Sequence, residues 1–151
     1  MAGTLVLGLG NPLRGDDGIG PAVVDWLRAR SLPPDVTALD DGSADLGLAL
    51  TLADYRRVIV VDAADMKRAP GEWLRFTPDQ LRANRASTLS LHAAGLSDVL
   101  SLGAALGMSP ETVIIYGVQP ARLDWSVGLS ADAQQAVPAV GQAVLSEIGH
   151  G

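Results

Sequence analysis

Three places in the chain hold side chains able to do chemistry: the adjacent pair Asp16-Asp17, Asp62, and His92. Asp62 lies 45 positions beyond Asp17 and His92 a further 30, so only folding can bring them together. Two carboxylates and one imidazole gathered at the mouth of a sheet could hold a divalent transition metal and leave coordination positions open. Imidazole favours nickel, zinc, copper or iron over magnesium or calcium. Each residue also has a plainer reading. A carboxylate ahead of a helix is often an N-cap or a partner of the helix dipole, which applies to Asp16 and Asp17. Asp62 closes an apolar run, where burying a carboxylate is costly, and capping is the alternative to a ligand role. His92 can be an ordinary loop histidine. His150, one residue from the C-terminus, is expected to be mobile. Asp40 and Asp41 read as turn residues.

These residues need elements to position them. Leu5-Val6-Leu7 runs into Gly8-Leu9-Gly10-Asn11-Pro12, which predicts a buried strand ending in a sharp turn. Pro21 suits the first turn of a helix with Ala22, Val23, Trp26 and Leu27 on its apolar face, closed by Ser31-Leu32-Pro33-Pro34. Residues 36–39 predict a second strand, and residues 46–53 a helix with Leu46, Leu50 and Ala53 on one side. Val58-Ile59-Val60-Val61 is a run of β-branched residues that suits a central strand covered on both faces, ending at Asp62. Residues 71–76, with Trp73, predict another strand, and Thr77-Pro78 the start of a short helix. From Leu96 the positions Val99, Leu100, Gly103 and Leu106 predict a helix stopping at Gly107, which leaves His92 in the stretch before it. Residues 112–118 predict the last strand. Residues 130–148 predict a final helix that Pro138 should kink or split.

Strands alternating with helices imply an α/β fold: one three-layer domain over residues 1–151, a twisted, mostly parallel sheet of about five strands with helices on both faces. In such a sheet ligands bind beyond the carboxyl ends of the strands, where Asp16-Asp17 and Asp62 fall.

Composition narrows the partners. Acidic residues outnumber basic ones 17 to 11 in 151 residues, a formal charge of −6, and a chain without a basic cluster is poorly suited to nucleic acid or an anionic membrane. The lack of cysteine excludes disulfides, thiolate metal sites, iron–sulfur clusters and a cysteine nucleophile. Apolar runs are too short to span a bilayer, and Met1-Ala2-Gly3-Thr4-Leu5 does not begin a signal peptide, so a cytoplasmic protein is expected. Gly8-Leu9-Gly10 lacks the third glycine of the dinucleotide fingerprint, and neither a phosphate-binding loop nor a Gly-x-Ser-x-Gly elbow occurs. Ser97 and Ser130 read as helix caps, which leaves no activated serine.

The run Gly8-Leu9-Gly10-Asn11-Pro12-Leu13-Arg14-Gly15-Asp16-Asp17-Gly18-Ile19-Gly20 resembles the N-terminal signature of the hydrogenase maturation endopeptidases. Those proteases remove a C-terminal extension from the large subunit of nickel–iron hydrogenases and so activate another enzyme. The likeness continues through Val60-Val61-Asp62-Ala63, through His92-Ala93-Ala94-Gly95-Leu96-Ser97-Asp98-Val99-Leu100, through Tyr116-Gly117-Val118-Gln119-Pro120 and through Gly128-Leu129-Ser130. The resemblance implies a metal site made of Asp17, Asp62 and His92, supported by a loop containing Gly8, Gly10, Asn11 and Asp16. It further implies that the metal is nickel supplied by the substrate, a nickel–iron hydrogenase large-subunit precursor, so that cleavage checks metal insertion. In this aspartyl-type endopeptidase reading, Asp17 and Asp62 are ligands and acid/base candidates, and His92 is a ligand only. Activation of the attacking water by a carboxylate or by the metal both stay open. Asp40-Asp41-Gly42-Ser43 stands where many members have an aspartate, two glycines and a threonine, and Gln119 where relatives are often acidic or apolar. Both departures bear on substrate choice.

Two rival readings remain. A non-catalytic nickel-binding maturation chaperone would use the same trio and leave its partner's mass unchanged. Peptidyl-tRNA hydrolases open with a similar Gly-Leu-Gly-Asn-Pro, but they need an early catalytic histidine and a basic surface, and this acidic chain has no histidine before His92. For a protease acting on a folded partner, a broad cleft and no activity on casein or short peptides are expected.

Overall fold

The Val58–Val61 run lies in the middle strand of a five-stranded sheet. The computed structural model describes residues 3–41, 45–83 and 91–150, and of residues 41, 46, 81–83 and 91–95 only the backbone. The strands are β1 (Thr4–Leu9), β2 (Val36–Asp41), β3 (Arg57–Ala63), β4 (Trp73–Phe76) and β5 (Thr112–Val118). Their order is β2-β1-β3-β5-β4, with β4 alone antiparallel. The helices are α1 (Ile19–Arg28), α2 (Leu46–Leu52), α3 (Pro78–Ala83), α4 (Leu91–Ala105) and α5 (Ala131–Gly149), with one 3-10 turn at Gly15–Gly18.

The period of two along each strand divides the interior into two cores. Val6, Ile59, Val61, Ile114 and Tyr116 face α1 and α5, while Leu5, Leu7, Leu9, Val58, Val60 and Ile115 face α2 and α4. This is the single α/β domain with helices on both faces that the residue pattern implied. Among the described residues no helix is long and apolar enough to cross a membrane.

Four details differ from the sequence reading. α2 buries Leu48, Ala49 and Leu52 and leaves Leu50 at 63% exposed. Its run Leu-Gly-Leu-Ala-Leu-Thr-Leu is apolar nearly all round, so periodicity alone cannot choose the buried face. α4 begins at Leu91 instead of Leu96, because Ala93 and Ala94 are strong helix formers ahead of the first core position. Ser97 therefore lies buried within α4 and is no cap. α5 runs unbroken through Pro138. Proline removes one N–H there, but Ala133 and Ala136 before it and Val140, Val144 and Ile148 after it pack into the same core.

The start of α1 lies unusually close to the sheet. A Cβ on Gly20 would stand 2.6 Å from the Val61 carbonyl oxygen and also against the Leu9 carbonyl, and a Cβ on Gly8 would stand 2.6 Å from the Gly20 carbonyl carbon. Only glycine at these two positions lets the turn before α1 sit directly on the ends of β1 and β3.

Candidate active site

The chain leaves β1 at Leu9 and folds back at once. Gly10 makes this reversal with φ +128°, and a side chain there would run into the Asp17 carbonyl. The Asn11 N–H donates to Asp17 Oδ2 at 2.8 Å, the Leu13 N–H to Asn11 Oδ1 at 2.9 Å, and the Asp17 N–H to the Arg14 carbonyl at 3.1 Å. Gly10 and Asn11 thus hold the loop that carries Asp17. Asp17 is held at 4% exposure on the 3-10 turn, and α1 takes Gly18 as its N-cap with no side-chain hydrogen bond, so Asp17 is not a helix cap.

Asp16, next to it, is 1% exposed and faces elsewhere. Its carboxylate accepts from Ala121 N, Ser130 N and Ser130 Oγ, each at 2.7 Å. Ser130 Oγ in turn accepts from Ala133 N as the N-cap of α5, the capping role read from the sequence. Burial pushes the Asp16 carboxyl up, but the hydrogen bonds from Ser130, Ala121 and Arg122 outweigh it and hold it below the ordinary carboxylate value. Asp16 therefore fixes the segment between β5 and α5 against the acidic loop.

Asp62 is 4% exposed and is paired with Gly117 on β5, but pairing of β3 with β1 stops one residue earlier, at Val61 and Gly8. Asp62 thus stands where β1 gives way to the acidic loop, and the 3-10 turn touches β3. By the alternation of the strand it follows Val58 and Val60 toward the α2–α4 face.

His92 falls in the first turn of α4, not in a loop before it. Its side chain lies outside the described residues. The far end of α4 leads to Glu111, whose N–H donates to the Arg56 carbonyl at the start of β3. A helix of 15 residues spans about 22 Å, so the first turn of α4 lies at the carboxyl edge, on the face Asp62 follows. Among the described residues no group of three or more potential metal ligands forms a cluster.

The other candidates have structural roles. Asp40 and Asp41 prolong β2 instead of turning, because parallel pairing with Gly8 and Leu9 carries the strand two residues further. Asp40 lies 3.7 Å from Arg28 in an exposed ion pair. His150 is the C-cap residue of α5, its N–H donating to the Ser146 and Glu147 carbonyls, and so is not a free tail. Gln119 Oε1 accepts from Met66 N at 2.7 Å and Arg68 N at 3.3 Å, and its Nε2 donates to Asp65 Oδ1 at 3.2 Å. Gln119 therefore ties the loop after β3 to the end of β5.

This is an α/β domain with buried carboxylates on adjoining elements at the open carboxyl edge of a mostly parallel sheet. The family model described as "Hydrogenase maturation protease" matches residues 21–147, and the chain belongs to that family. It is a hydrolase, an endopeptidase of hydrogenase maturation. The chain is 37% identical to the hydrogenase expression/formation protein HupD of Bradyrhizobium diazoefficiens, over 96% of its length and 79% of HupD. It is 35% identical to the Hydrogenase 2 maturation protease of Escherichia coli K12, over 95% and 89% of the two chains. The solved structure of the hydrogenase maturating endopeptidase HybD from E. coli superposes with a TM-score of 0.89 at 32% identity, covering 98% of this chain and 93% of that one.

Proposed function

We propose that this protease removes the C-terminal extension of a nickel–iron hydrogenase large-subunit precursor after nickel has been inserted, and that it reads the nickel seated in that substrate. The observation that carries the reading is the burial of Asp17 and Asp62 on touching elements at the carboxyl edge, with α4 bringing His92 to the same edge. Buried carboxylates are costly in a dry site and are well matched to a cation. Two carboxylates and one imidazole suit a borderline transition metal with positions left open for the substrate's own ligands. The metal is substrate here, not a resident cofactor.

In this reading Asp17, Asp62 and His92 reach the nickel through its free positions and so hold the scissile bond beside them. In the same reading Asp17 and Asp62 take a proton from the attacking water or give one to the leaving amine. The partner is a folded protein, the reaction is cytoplasmic, and neither nucleic acid nor membrane takes part. Intact mass spectrometry of a cognate precursor incubated with the protein tests this. Wild type should release a single C-terminal peptide, and Asp17→Asn, Asp62→Asn and His92→Ala should each abolish it. Three variants that all process normally would refute the site. A stable complex with unchanged mass would instead indicate a chaperone.

A further inference from the structure

The segment between β5 and α5 contains no helix or strand through residues 119–130, yet it is fastened along its length to the acidic loop. Besides the three bonds to the Asp16 carboxylate, Gly15 N donates to the Ser126 carbonyl at 2.7 Å and Asp16 N to the Arg122 carbonyl at 3.0 Å. Arg14 Nη2 donates to the Leu123 carbonyl at 3.1 Å. From this fixed segment project Trp125, 75% exposed, and Val127, 80% exposed, while Leu13 on the facing loop is 56% exposed. The Arg14 guanidinium lies 5.4 Å from the centre of the Trp125 ring, and its Nε has no hydrogen-bond partner among the described residues.

Single exposed apolar residues need no explanation, but three on two cross-linked loops at the rim of a buried carboxylate site do. Tryptophan and arginine are the side chains that most often dominate binding energy at protein interfaces. A loop already rigid before binding loses little entropy when it is covered. Asp16 and Asp17 are neighbours on one turn, so a protein that brings a bond to Asp17 comes close to the segment that Asp16 fastens. We infer that Leu13, Trp125 and Val127, with Arg14 against the indole, form the surface on which the folded precursor docks through an apolar patch beside its scissile segment. This rests on the proposed reading that a large-subunit precursor is the substrate.

The test is the dependence of cleavage rate on precursor concentration for wild type, Trp125→Ala and Val127→Asp, with thermal unfolding as the control for folding. Both substitutions should raise the half-saturating precursor concentration about tenfold or more, as expected for removal of an interface anchor, and leave the rate at saturation within about twofold. Half-saturation unchanged in both variants would overturn the docking surface while wild-type cleavage kept the proposed function intact. A loss confined to the saturated rate would overturn it as well. Self-association of the free protein that Trp125→Ala relieves, without any change in half-saturation, would reassign the patch to a second copy of the chain. A wild type that neither cleaves nor binds the precursor would overturn both proposals.

Discussion

At Asp16 burial opposes ionisation, yet three donors meeting one carboxylate keep it charged below the usual pH range. A carboxylate with a depressed folded-state pKa contributes stability that is present above its unfolded value and lost as pH falls through the folded one. Asp16→Asn places an amide against donors and should lower stability by about 1–3 kcal/mol near neutral pH. Measured by urea unfolding, the gap between wild type and variant should close as pH is lowered well below 4, roughly the ordinary carboxylate value. An equal gap at all pH values would contradict the assignment. Asp17→Asn keeps an oxygen for Asn11 N and should leave the fold intact while lowering the processing rate more than about a hundredfold, the usual scale for losing an acid/base group. The residue types and order along the chain made Asp17, Asp62 and His92 legible as candidates. The partners of Asp16 were not, because Ala121 and Ser130 lie more than a hundred positions away in sequence and local spacing carries no trace of them.

Strands were more legible than helices because β-branched runs bounded by turn residues announce themselves. The last strand, Thr112–Val118, has the bounds its residues suggested, whereas α2 is so evenly apolar that its buried face is settled by tertiary packing, and α4 begins ahead of its first marked apolar position because Ala93 and Ala94 favour helix. Contacts between elements are equally invisible beforehand. The approach of α1 to the sheet is one: Gly20→Ala should cost about 2–4 kcal/mol, since its Cβ meets backbone that cannot yield. Equilibrium unfolding measures that cost, and a neutral result would show that the turn does not sit on β1 and β3 as described. Another is the tie between β5, β4 and α5. Tyr116 donates to Glu147 Oε1 at 2.8 Å, and Arg75 Nε reaches the same oxygen at 2.6 Å. Burial, with the neighbouring Glu147 carboxylate, pushes the Tyr116 hydroxyl up to about 12. A phenol whose pKa is raised by folding contributes stability below its unfolded value near 10, and that stability is lost as pH rises toward the folded value. Wild type should therefore lose stability between about pH 10 and 12, and Tyr116→Phe should remove that part of the decline.

Across the whole molecule, the sheet gathers three distant stretches of sequence at one edge, and the segment stapled by Asp16 extends that edge into a rim suited to a protein surface. A protease built this way should leave casein and short peptides uncut, and fluorogenic peptide assays should stay at background. Under the proposed function, cleavage of the folded precursor should depend instead on whether nickel is present. The deciding measurement is intact mass spectrometry of one cognate large-subunit precursor, prepared with and without nickel and incubated with this protein. The account predicts loss of a single C-terminal peptide from the nickel-loaded form and no change in the nickel-free form. Equal trimming of both forms would contradict it.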